Sequence, residues 1–146
     1  MVYLHLNCDE YLSTQRLLQM KRALGDAEMA DLNTATLPGE KVSAADILGE
    51  ASMMPFLAER RLLLVYGYLD HLDKRMAASK SADSAAHNEA TRFLTEIGNV
   101  PDTCDVVLLD SAVDKRRVLW KGFTTVATEK ASARKVEGLE ALSKSG

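Results

Sequence analysis

The chain has 146 residues, 47% of them apolar and 27% charged, with a formal net charge of −3. That length and balance fit one globular domain with its own core, and the negative total excludes a protein that coats nucleic acid through overall charge. No run approaches about eighteen consecutive apolar residues, and the start MVYLHLNCDEYL lacks the basic and long apolar regions of a secretory signal, so no membrane partner is expected.

In chain order, Val2–Leu6 is a short β-branched and aromatic run that predicts an opening strand. A helix follows over residues 9–24, with Leu17, Met20 and Leu24 on one face and Gly25 as its stop. Residues 32–37 alternate loosely and end at Pro38-Gly39, a strand and a turn. Ser43 caps the next helix with Asp46 as a capping-box partner, and Ala44, Ile47, Leu48 and Ala51 repeat at helical spacing.

Residues 62–65 are continuously apolar, as in a central parallel strand covered on both faces. Residues 66–76 read as helical or irregular, and 77–83 (AASKSAD) as a loop or frayed helix end. Ala90, Phe93, Leu94 and Ile97 mark another helix, ended by Gly98 and Pro101. Residues 106–109 form a second continuously apolar strand. Asp114 caps a helix lined by Leu119, Gly122, Phe123 and Val126, and residues 131–136 are a candidate last strand. Strands alternating with helices predict an α/β domain, a three-layer sandwich around a five-stranded parallel sheet.

The positions that could carry chemistry are mostly negative. Cys8 and Cys104 have no CxxC partner, and His5, His71 and His87 show no ligand spacing, so no structural metal is expected. The simple reading is two free thiols in the reducing cytoplasm. A phosphate loop needs glycines and a Lys after the first strand, where this chain has Asn7-Cys8-Asp9-Glu10-Tyr11. The third strand ends Val65-Tyr66-Gly67, without a magnesium-binding acidic pair. Nucleotide hydrolysis and a bound cofactor are not expected.

Asp9, Glu10 and Asp110 raise one alternative, a receiver-like phosphoacceptor domain with Asp110 as the acceptor and Asp9/Glu10 as the acidic pair. The competing reading places Asp9 and Glu10 in a helix's first turn, where negative charge is favoured, and Asp110 in a strand-end turn. Asp114-Lys115-Arg116-Arg117 is either a site for DNA phosphates or a solvated first turn, and the negative total favours the turn.

The least ordinary segment is Ala51-Ser-Met-Met-Pro-Phe-Leu-Ala-Glu-Arg-Arg-Leu-Leu-Leu-Val65. Pro55 stops a helix amid apolar residues, and Arg60-Arg61 lead into a strand. Met53, Met54, Phe56 and Leu57 do no acid–base chemistry and bind no phosphate. They fill either this domain's core or a pocket on another protein.

Several of these pieces together resemble the N-terminal domain of the δ subunit of bacterial DNA polymerase III, the clamp-loader subunit that opens the sliding clamp. The opening strand with Asp9-Glu10-Tyr11-Leu12 is similar to that family's start, typically Gly-x-Asp-Glu-Phe/Tyr-Leu. Leu24-Gly25-Asp26 and Asp31-Leu32-Asn33 resemble the approach to its second strand. Pro55-Phe56-Leu57-Ala58-Glu59-Arg60-Arg61-Leu62-Leu63-Leu64-Val65 is the most specific piece. Leu109-Asp110, Asp114-Lys115-Arg116-Arg117 and Leu119 resemble its strand-four-to-helix segment. The resemblance covers most of residues 1–136. It departs at Asn7-Cys8, where the family usually has Gly, although Asn accepts a positive φ more readily than most residues.

The resemblance implies a degenerate AAA+-like domain over residues 1–136, with the ATPase fold but no ATPase site, followed by a polar tail or linker over 137–146. It implies a fragment of a longer protein, since δ continues into a second small domain and a helical collar. The function implied is binding and helping to open the β sliding clamp in chromosomal DNA replication. This domain would itself be non-catalytic, although part of a DNA polymerase holoenzyme. The implied partners are the β clamp and the δ′ and γ/τ clamp-loader subunits, with DNA met indirectly. Phe56 and Leu57 align with the apolar pair that δ inserts into a hydrophobic pocket on the clamp, and Met53 and Met54 would flank them as adaptable thioethers.

Overall fold

A computed structural model of the chain describes residues 2–6, 10–79, 85–110 and 136–138. Strand β1 (Val2–Leu6) leads to helices α1 (Glu10–Arg22) and α2 (Ala27–Leu32), then β2 (Thr34–Pro38), α3 (Ala44–Ala51) and β3 (Arg61–Tyr66). Helices α4 (Tyr68–Ala78) and α5 (Ala85–Glu96) follow, then β4 (Cys104–Asp110) and a short β5 (Val136–Gly138).

All pairings are parallel. β3 lies between β2 and β4, and β4 between β3 and β1, with the backbone of β5 along the outer edge of β1. The register sets Val2, Val106, Leu63 and Ala35 in one row across the sheet and Tyr3, Val107, Leu64 and Thr36 in the next. Strand side chains alternate between faces, so these rows point to opposite sides. The first row meets Ala44, Ile47 and Ala51 of α3, Tyr68 and Leu72 of α4, and Ala90 and Phe93 of α5. The second meets Met20 of α1, Leu24 in the turn after that helix, and Ala30 of α2. Helices thus cover both faces, which is why residues 62–65 are apolar without a break.

The capping box read from Ser43 and Asp46 is present: the Asp46 amide donates to Ser43 Oγ at 3.2 Å and the Ser43 amide to Asp46 Oδ2 at 2.9 Å. One local expectation fails. Residues 32–37 were expected as one strand, but Leu32 ends α2 and the strand begins at Thr34. Asp26 caps α2 by accepting from the Met29 amide at 2.9 Å, a cap the loose alternation concealed. Of residues 66–76, Tyr66 ends β3 and the rest beyond Gly67 lie in α4, which starts after that glycine in the left-handed region at φ 75°. Cys8, Asp9, the 111–117 segment with its basic cluster, and the helix expected after Asp114 lie outside the described residues.

Candidate functional site

The loop from Ser52 to Arg60 joins α3 to β3 at the amino-terminal edge of the sheet. At the end of α3 the Ser52 amide donates to Leu48 O at 3.1 Å and the Met53 amide to Glu50 O at 3.2 Å. Pro55 then prevents further helix. Met53 is 53% exposed, Met54 82%, Phe56 56% and Leu57 78%. The sequence left open whether these four fill the core or face outward, and they face outward from one loop, on either side of Pro55.

Polar bonds hold this apolar loop. Asn33, the C-cap of α2, is fully buried. Its Oδ1 accepts from the Phe56 amide at 2.7 Å, and its Nδ2 donates to Phe56 O at 2.9 Å and Met29 O at 3.0 Å. Leu57 next to it sits in the left-handed region at φ 53°, a conformation that costs a non-glycine residue about 1–2 kcal/mol. Past the loop the two arginines diverge. Arg61 turns inward and donates to the Glu50 carbonyl, with its Nη2 3.2 Å from the Glu50 carboxylate. A buried cation at the C-terminus of α3 also meets the negative end of that helix. Arg60 turns to the other face and grips both carboxylate oxygens of Asp105 on β4, a two-pronged charge-assisted contact.

At the opposite edge, where β1, β3 and β4 end, a crevice of about 480 Å³ is lined by His5, Glu10, Ser13, Thr14, Tyr66, Asp70 and Asp110, among others. The Asp110 carboxylate accepts from the Asp70 amide at 2.9 Å and the Leu69 amide at 3.3 Å. It caps α4, whose own N-cap, Gly67, has no side chain to offer. Burial raises Asp110 to about 6, against the pull of those two amides. His5 is 2% exposed; its Nδ1 lies 2.5 Å from Ser13 Oγ and its Nε2 has no hydrogen-bond partner. Burial first, and Arg16 second, lower it to about 4, so the ring is neutral at pH 7.

This corrects the receiver-like alternative built on Asp110 with Asp9 and Glu10. Asp110 spends its oxygens on backbone amides, and Glu10 is the exposed first residue of α1, where the helix dipole favours it. The strand order also differs: β4 separates β3 from β1, whereas receivers keep the 2-1-3-4-5 order of flavodoxin-like sheets. Cys104 is buried, which raises its thiol to about 11 and removes it as a nucleophile. Among the described residues no three His, Cys, Asp or Glu are grouped to hold a metal, and no helix is long and apolar enough to cross a membrane.

Asn33 is the residue that sequence reasoning missed. It lies 23 positions from its partner Phe56, and an Asn before a strand carries no signal of its own.

Comparison with known proteins agrees with this architecture. The solved structure of the Bacillus subtilis DNA clamp loader delta protein (YqeN) superposes with a TM-score of 0.63 at 19% identity, covering 94% of this chain and 37% of that one. That likeness shows the fold, and the chain spans well under half the length of that protein. Among curated protein sequences none matches. The family profile described as DNA polymerase III, delta subunit, matches residues 8–133. With its sequence matched over that span, the chain belongs to the DNA polymerase III delta subunit family.

Proposed function

We propose that this chain is the N-terminal module of a clamp-loader δ subunit, and that it binds the β sliding clamp and helps to open it in chromosomal replication. The observation that carries this reading is the loop itself: Met53, Met54, Phe56 and Leu57 stand 53–82% exposed on a backbone bonded to the buried side chain of Asn33. Large apolar side chains held outward lose to water what they would gain in a core, and a pocket on a partner restores it. Phe56 and Leu57 are the anchor, and the two methionines adapt to the pocket wall.

The sheet between two helix layers supports an AAA+-like domain over residues 1–136. The inward use of Asp110 and the lack of Gly and Lys after β1 support a domain that has lost ATP chemistry. On this reading the module is non-catalytic and works in the cytoplasm. It sits in one assembly with the δ′ and γ/τ subunits and reaches DNA through the clamp. Surface plasmon resonance against the sliding clamp of the same organism tests it. Saturable binding by the chain, strongly weakened in Phe56→Ala/Leu57→Ala, is expected; equal binding by both proteins would refute the anchor.

A further inference from the structure

We infer that Asn33 is a positioning residue, a buried clasp that sets the conformation in which Phe56 and Leu57 meet their partner. The inference rests on the reading of the loop as the clamp-binding element and names what prepares it.

The residue type is the first argument. Phe56 offers Asn33 both its amide and its carbonyl, as one peptide unit offers them to another in a sheet. Among short side chains, a carboxamide alone presents an acceptor and a donor on one plane. A serine hydroxyl is shorter and would have to accept and donate from a single atom, and a carboxylate could not donate. The second proton of Asn33 Nδ2 goes to Met29 O, so both sides of the carboxamide are satisfied.

Placement is the second argument. Asn33 is itself immobilised: its amide lies 3.2 Å from both Met29 O and Ala30 O, and its carbonyl accepts from the Leu62 amide at 2.8 Å. It therefore joins the end of α2, the start of β2 and the start of β3, and holds the loop from that joint. Leu57, directly after the clasped residue, takes the left-handed φ of 53°. A flexible loop would relax out of that conformation, so a neighbouring restraint must hold it. The consequence is preorganisation. Without the clasp the loop samples other conformations, and apparent affinity falls by the fraction of time the competent one is populated.

The test uses the whole chain and the sliding clamp. Asn33→Ala should slow association about tenfold with little change in dissociation, because the partner holds the loop once bound. Phe93→Leu, in the helix layer opposite α2, is the control: it lowers stability without altering the Asn33–Phe56 bonds and should leave association unchanged. Asn33→Asp keeps the acceptor and removes the donor, and should also slow association. In the unaltered protein the Phe56 amide should exchange with deuterium at least about tenfold more slowly than in an unstructured peptide.

An Asn33→Ala protein that associates at the unaltered rate, or no more slowly than Phe93→Leu, overturns the clasp. Free exchange at Phe56 overturns it too, even if Asn33→Ala fails to fold. If the unaltered chain does not bind the clamp while Phe56 is protected, the clasp stands and the clamp-binding reading fails.

Discussion

The two edges of the parallel sheet divide the molecule into opposites. At the carboxyl edge lie residues that enzymes use, His5, Ser13, Asp70 and Asp110, but the Asp110 carboxylate closes a helix and His5 is a buried neutral ring. At the amino edge lie residues that catalyse nothing, Met53, Met54, Phe56 and Leu57, and these face solvent. Reactive residue types do not make a working site when they are buried or their polar atoms are committed internally. Inert ones are free to bind when their backbone is fixed and their side chains face solvent.

The largest expected effect is at the amino edge. Phe56→Ala/Leu57→Ala should weaken clamp binding by at least about 2 kcal/mol, roughly thirtyfold, while unfolding free energy changes by about 0.5 kcal/mol or less. Paired urea-melt and binding measurements check it. A large loss of stability with binding intact would return these residues to the core.

The carboxyl edge should behave in reverse. Asp110→Ala leaves the Leu69 and Asp70 amides without their acceptor and should cost about 1–3 kcal/mol of stability, with clamp affinity unchanged. If clamp affinity fell alongside stability, the two edges would not be independent.

Titration offers a finer test. Burial raises Asp110 from its ordinary 3.8 to about 6, so between those values the folded state holds a proton that the unfolded state has lost. Its contribution to stability is full below pH 4 and is lost as pH rises through 6. His5, lowered from 6.5 to about 4, acts oppositely: its contribution is full above pH 6.5 and is lost as pH falls through 4. The two offset each other between pH 4 and 6. Asp110→Asn should therefore uncover a fall in melting temperature on acidification across that window, and His5→Gln a rise. Parallel profiles for the three proteins would contradict this.

The smallest effect is none. ATP with magnesium should give no heat of binding in titration calorimetry, since Asn7-Cys8-Asp9-Glu10-Tyr11 offers no Gly or Lys to phosphates. A micromolar dissociation constant would make the carboxyl edge a working site.

What the sequence disclosed depended on how local the cause was. The Ser43–Asp46 box spans three residues and was legible, as was the unbroken apolar run of β3. Helix α2, only six residues long, left no periodicity to detect beside the strand it precedes. The four loop residues were conspicuous, but their direction was undetermined, since Phe and Leu are usually buried. Deciding it needed Asn33, whose role exists only once α2 and the loop are brought together.

The attachments of the loop also have a mechanical meaning. Through Asn33 it is fastened to the beginnings of β2 and β3, and through Arg60 and Asp105 to the beginning of β4. A load on Phe56 is thus passed to three adjacent strands at their shared end. The loop is a handle tied to three strands at once.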